Sequence, residues 1–267
     1  MRGKVLLDGL HADLGRPALN STHEGFRLPI PIGTSSVATL KVSVQVLTFD
    51  LYGTVVDMQG GLTDAVTPYL QAKGWSARPE SFVTRWRRTH FENSMIDALI
   101  DRGHTSYREI GQRALTLTLE RAGIRHTQDE VQYLVAQIEQ LRPFDDVVEA
   151  LGRLKTRYPL VILSNGDPDM LENAKPHIRF AFDRYISIAA AGYFKPHGAT
   201  YRKAAEILQT PIDRIMHVAN HAFDCIGAQA AGMKAAFINR RERPYEETSY
   251  RPELVVGNFT ELADAMT

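Results

Sequence analysis

Apolar positions change their period along this chain, and the changes mark its organisation. The run Val46-Leu47-Thr48-Phe49 ends at a carboxylate, Asp50, followed by a Gly-Thr turn and the pair Val55-Val56. A short apolar, β-branched run closed by Asp and Gly predicts a buried strand of a parallel sheet. From Gly61 to about Leu141 the period becomes helical. Ala65, Val66, Tyr69 and Leu70 share a face, followed by Phe82 and Trp86, and then by Met95, Ile96, Leu99 and Ile100. Ile110, Ala114, Leu115, Leu117 and Leu119 come next, and Val131, Leu134, Val135 and Ile138 close the segment. No strand signal interrupts it.

Past Phe144 the strand-like runs return at Leu160–Leu163, Tyr185–Ala189, Ile215–Ala219 and Ala235–Ile238, with Leu254–Val256 as an edge strand. Helical patterns alternate with them, beginning with one that Asp145-Asp146 can cap and that runs to Tyr158 with Val147, Val148, Leu151 and Leu154 on one face. Strands alternating with helices argue for parallel βαβ units. The expected fold is therefore α/β: a Rossmann-like, doubly wound parallel sheet over residues 44–60 and 142–267, with an all-helical cap inserted at 61–141. Residues 1–43 carry scattered Gly and Pro without sustained period and are expected to be a loosely packed or disordered leader with no assigned role.

Composition narrows the function classes. The formal net charge is zero, which gives no electrostatic argument for nucleic acid or a membrane surface. No apolar run approaches the ~20 residues of a membrane span. The single cysteine, Cys225, cannot form an internal disulfide, which suits a reducing cytoplasm, and no motif around it would activate a thiol.

Open α/β sheets place their chemistry outside the carboxyl ends of the strands. Asp50 stands there and could be a nucleophile, a metal ligand or a cap. Ser164 and Asn165 follow the second core strand and either form a pocket for an anionic group or merely make a turn. Lys195-Pro196 follows the third strand. His217 and His221 do not read as a zinc pair, because four-residue spacing faces one way on a helix and this is a strand end.

Asp50-Leu51-Tyr52-Gly53-Thr54, then Ser164-Asn165, Lys195-Pro196 and Asn220 to Asp224 in that order, resemble the haloacid dehalogenase superfamily, and within it the L-2-haloacid dehalogenases. The resemblance runs from about Val44 to the C-terminus. It implies that Asp50 is the nucleophile, with Thr54 in the same catalytic turn. Tyr52 stands where phosphatase members carry a second Asp as general acid. By the same resemblance Ser164 grips the substrate carboxylate and Asn165 helps bind the departing halide. Lys195 neutralises Asp50, Tyr201 lines the site, and Phe223 packs against the halide. In the helical segment, Trp86-Arg87 matches a pair whose Arg binds halide and fixes the substrate, and Asn93 and Met95 are expected nearby.

Phosphatases hold Mg²⁺ with two acids spaced by four, and Asn220 and Asp224 occupy those places with one charge missing. A hard dication wants carboxylate oxygens, so no metal and no cofactor is expected. Asp224 is expected to pair with Lys195 and help position the hydrolytic water. Two departures stand out: Ala219 where a Ser is usual and His221 where an Asn is usual. His221 could replace that Asn and serve as a base.

The implied reaction is hydrolytic dehalogenation of a short (S)-2-haloacid to an (R)-2-hydroxy acid through an aspartyl ester. The alternatives are the same attack on fluoroacetate or azetidine-2-carboxylate, a Mg²⁺-dependent phosphatase, and a silent carboxylate-binding protein. The expected partner is a small 2-substituted carboxylate, with a homodimer left open.

Overall fold

The computed structural model describes residues 36–101, 103–246 and 248–267. Most of the expected leader lies outside the described residues, but its end does not. Val37–Ser43 form helix α1, capped by Ser36, whose Oγ accepts from Thr39 N. Leu40 is fully buried on it, so the apolar core begins before residue 44.

Strand β1 is Val46–Phe49, buried at every position. The helical insertion follows as α2 Met58–Ala72, α3 Pro79–Ile100, α4 Tyr107–Arg121 and α5 Gln128–Ala136, closed by a 3₁₀ turn at Gln137–Gln140. Local chemistry sets each start. Asp57 accepts from Gly60 N before α2, Pro79 opens α3, Ser106 accepts from Glu109 N before α4, and Thr127 and Glu130 form a reciprocal capping box on α5.

One part of the helical pattern points the other way from expectation. On α3 the buried stripe is Phe82, Val83, Trp86, His90, Ser94 and Ala98, while Ile96, Leu99 and Ile100 are exposed. The four-residue steps from Trp86 through His90 and Ser94 to Ala98 keep one face inward even where its residues are polar or small. Hydrophobicity alone selects the opposite face.

The core then runs α6 Val147–Lys155, β2 Leu160–Ser164, α7 Pro168–Ile178, β3 Arg184–Ser187, α8 Gly198–Leu208, β4 Ile215–Ala219, α9 Ala222–Ala231, β5 Lys234–Ile238, β6 Leu254–Val256 and α10 Phe259–Met266. The six strands are parallel in the order β3-β2-β1-β4-β5-β6. The chain winds outward from β1 to one edge, then returns to β4 and winds to the other. The topological switch point, where α/β sheets open a crevice, thus lies between β1 and β4. Phe49 pairs with both Ile162 and Val218, so Asp50 leaves the sheet between the ends of β2 and β4.

Asp146 does not cap α6 as expected. Its carboxylate accepts from Arg240 Nη1 at 2.9 and 3.0 Å and from Phe259 N at 2.7 Å, so it ties the first turn of α10 to the loop after β5. A second carboxylate joins insertion to sheet. Asp167, at the start of α7, accepts the backbone N–H groups of Tyr107 and Arg108, each at 2.9 Å. These are the first two N–H groups of α4, which have no acceptor within their own helix. No helix among the described residues is long and apolar enough to cross a membrane.

Candidate active site

The sheet delivers Asp50 nearly buried, 8% exposed, with donors already in place. Thr54 Oγ1 donates to Asp50 Oδ2 at 2.7 Å and itself accepts from Asn220 N at 2.9 Å. The Asn220 amide donates to Gly53 O at 3.0 Å, which locks the β1 turn to the end of β4. Gly53 has φ near +90°, and a Cβ on it would lie 2.9 Å from the His221 ring and 3.3 Å from Arg87 Nη2. Both the backbone angle and the close approach require glycine.

Behind Asp50 lies a buried charge network. Lys195 Nζ sits 3.3 Å from Asp50 Oδ1 and 2.8 Å from Asp224 Oδ2. Tyr201 donates its hydroxyl to Asp224 Oδ1 at 2.6 Å, and His217 Nε2 stands 3.0 Å from Asp224 Oδ2. Thr48 Oγ1 meets the other nitrogen of His217 at 2.9 Å. Burial opposes the charge on Asp50, but the Lys195 ammonium and the His221 hydrogen bond outweigh it and hold the carboxyl below its usual range. Asp224 is likewise held far below the usual carboxylate range, burial being overcome by His217 and Lys195. Burial likewise opposes the Lys195 charge, yet Asp224 and Asp50 together raise its pKa. The network is a fixed cation between two fixed anions.

In front of Asp50 a cavity of about 350 Å³ opens under the helical insertion. Of the residues expected at the site, Asp50, Tyr52, Arg87, Asn165, His221 and Phe223 border it. Arg87 Nη1 donates to Gln59 Oε1 at 2.9 Å, while Arg87 Nε is buried without a protein acceptor. Burial lowers the Arg87 pKa from its usual value, the mark of a guanidinium deprived of water. Tyr52 lies flat against Tyr107, 5.7 Å between ring centroids at 4°. Phe91 and Phe223 meet at 4.4 Å.

Four of the expected contacts do not border the cavity. Ser164 is fully buried, and its Oγ accepts from Gly166 N at 3.2 Å, which is the turn-making reading. Asn165 does both jobs: it borders the cavity and its Oδ1 accepts from Lys195 N at 3.0 Å. Tyr201, expected to line the site, is fully buried and holds Asp224. Asn220 supports the turn, and Thr54 is buried beneath Asp50. Asn93 and Met95 do not border the cavity; Phe91 and Ser94 do. Those two stand four and seven residues after Arg87 on the same helix, so the helical period was the signal that would have found them. Gln59, His90 and Tyr107 were missed because only the docking of three helices brings them to the cavity.

Among the described residues no group of three or more His, Cys, Asp or Glu side chains is arranged to hold a metal ion. Both oxygens of Asp224 already face donors.

A family model for haloacid dehalogenase-like hydrolases matches residues 44–232. The chain is 27% identical over 224 residues to the (S)-2-haloacid dehalogenase H-109 of Pseudomonas putida, covering 83% of this chain and 97% of that enzyme. It is 29% identical over 223 residues to the (S)-2-haloacid dehalogenase of Xanthobacter autotrophicus, covering 82% and 83% of the two. A solved structure of L-2-haloacid dehalogenase from Xanthobacter autotrophicus superposes with a TM-score of 0.76 at 26% identity, covering 83% of this chain and 97% of that one. A structure of the enzyme from that organism with chloropropionic acid covalently bound gives 0.73 at the same identity and coverage. This chain belongs to the haloacid dehalogenase-like hydrolase family.

Proposed function

We propose that this protein hydrolyses short (S)-2-haloacids to (R)-2-hydroxy acids through an ester on Asp50. The observation that carries the reading is the state of the Asp50 carboxylate: ionised, backed by Lys195 at 3.3 Å, and facing a cavity walled by Arg87, Phe91 and Phe223. Oδ2 takes the Thr54 hydroxyl at 2.7 Å and Oδ1 the more distant Lys195 ammonium at 3.3 Å, and Oδ1 keeps a second lone pair with which to attack the α-carbon in line. The carbon–halogen bond breaks with its electron pair, and halide leaves toward Arg87, Asn165 and Phe223. A weakly hydrated anion suits an aromatic wall beside a desolvated guanidinium. One inversion at carbon turns an S substrate into an R product. Water then attacks the ester carbonyl, restoring the carboxylate, and the carboxylate route is an ordinary form of covalent catalysis.

Tyr52 weighs against phosphate esters. Its hydroxyl is buried without a partner, and burial first, then Tyr107, raises its pKa well above that of a free phenol. A neutral phenol so placed is a poor substitute for a carboxylic acid that must protonate an alkoxide. The helical insertion acts as the cap that excludes water from the attack. The buried, unpaired Cys225 suits a cytoplasmic setting, and a homodimer would have the exposed Ile96, Leu99 and Ile100 to cover.

The test is free halide released from a panel of 2-haloacids in excess EDTA, with Asp50→Asn as control. The panel includes fluoroacetate, since a solved relative at 27% identity is described as a defluorinating L-2-haloacid dehalogenase. Halide from (S)-2-chloropropionate, lost in Asp50→Asn, is the expected result. Halide from no member of the panel would sink the assignment and turn attention to azetidine-2-carboxylate ring opening.

A further inference from the structure

The second half-reaction needs a base for the attacking water, and the geometry of Asp224 commits it elsewhere. Its Oδ1 accepts the Tyr201 hydroxyl at 2.6 Å, and its Oδ2 faces Lys195 Nζ at 2.8 Å and His217 Nε2 at 3.0 Å. The side chain is 1% exposed and is not part of the cavity wall. A carboxylate held by neighbours on both oxygens and set behind the wall is out of reach of a water in front of it. His217 and Lys195 beside it also depress its proton affinity, and a base works best with a pKa near the operating pH.

His221 has what Asp224 lacks. It borders the cavity, its side chain is 28% exposed, and its Nδ1 lies 3.4 Å from Asp50 Oδ2. A nitrogen at that distance from one carboxylate oxygen is within reach of a water placed to attack the carboxylate carbon. The ring is held between the backbone of Gly53 and the Phe223 ring, 5.5 Å away. We propose that His221 is the general base that hydrolyses the Asp50 ester, an inference that rests on the ester reading above.

The chemistry turns on the charge of Asp50. In the free enzyme the Nδ1–H of His221 faces an anion. Esterification removes that anion, and the neutral ring can carry its proton on Nε2 and accept at Nδ1. Water gives one proton to Nδ1 while its oxygen bonds to Cγ of Asp50. The tetrahedral carbon then collapses, the Cγ–O bond to the substrate carbon breaks, and the imidazolium returns the proton to the departing alkoxide. The regenerated carboxyl loses its remaining proton to solvent, driven by Lys195. Halide and that proton leave as the net acid produced.

The test follows both half-reactions separately. Wild type, His221→Gln and Asp50→Asn are mixed with excess (S)-2-chloropropionate; halide is measured through the first turnover and the intact protein mass is followed. His221→Gln is expected to release one equivalent of halide per site in a burst. It should then stall with an adduct on the Asp50 peptide, its steady-state rate down by roughly 10²- to 10⁴-fold. Added imidazole should shorten the adduct's lifetime, which a purely structural defect would not show. His221→Asn, which supplies the amide usual in relatives, serves as the second variant and should also accumulate adduct. Turnover of either variant within a few-fold of wild type, with no adduct, would overturn the role of His221 and leave the ester reading standing. No halide from wild type would overturn both.

Discussion

Arg87 Nη1 and Gln59 Oε1 meet at 2.9 Å across the mouth of the cavity, and the Gln59 amide nitrogen is fixed in turn by Glu80 O at 3.1 Å. The amide can therefore present only its oxygen to the guanidinium. Arg87 is held in place by a neutral acceptor, which does not cancel the charge that the proposed reaction uses to receive the halide. Gln59→Leu should leave the fold intact and raise KM for haloacids by roughly ten- to a hundredfold, since a hydrogen bond to a charged group contributes on the order of 1.5–3 kcal/mol. Steady-state kinetics with circular dichroism as control checks this; an unchanged KM would mean that Arg87 is positioned by something else.

The cap is fastened to the sheet by Asp167, whose two oxygens take the first N–H groups of α4 at 2.9 Å each. That contact sets Tyr107, which stacks on Tyr52 and whose carbonyl faces His90 Nε2 at 3.1 Å. Asp167→Ala removes a cap and strands a buried donor, with an expected loss of about 2–3 kcal/mol. Urea unfolding measures it. Asp167→Ser, which keeps one acceptor, should recover part of that loss.

His90 makes stability depend on acid. Burial lowers its pKa from 6.5 to about 4, against a smaller opposing effect of the Tyr107 carbonyl. Between those values the unfolded chain binds a proton that the folded chain refuses. Its contribution is therefore complete above pH 6.5 and is lost as pH falls toward 4, by up to about 3 kcal/mol. Asp50 and Asp224 act in a lower window: their folded pKa values lie below the usual 3.8, so their contribution is present above that pH and lost beneath it. Unfolding free energy measured at intervals from pH 7.5 to 4 should fall for wild type and stay flatter for His90→Gln.

What could be read from the sequence was local in the chain. Val46 to Thr54 is one strand and one turn, and its apolar run, carboxylate and glycine are adjacent. Asn165, Lys195 and Asp224 follow the ends of β2, β3 and β4, and parallel topology must gather them at one edge of the sheet. The illegible part depended on depth. Ser164 and Tyr201 stand at the right strand and helix, yet both face away from the cavity, one toward Gly166 N and the other toward Asp224. Nothing in residue type distinguishes a hydroxyl before the wall from one behind it. Tyr107, His90 and Gln59 come from three different helices, and their meeting is a fact of docking. On α3, apolar Ile96, Leu99 and Ile100 drew attention to the outer face while Ser94 faced the cavity.

The central claim is that the oxygen gained by the product comes from Asp50. A single turnover of excess enzyme on (S)-2-chloropropionate in H₂¹⁸O tests it directly. Attack by Asp50 followed by hydrolysis at its carbonyl predicts unlabelled 2-hydroxypropionate and ¹⁸O in the Asp50 peptide. Label in the product of that first turnover, with none in Asp50, would show that water attacks the substrate carbon itself and would contradict the account.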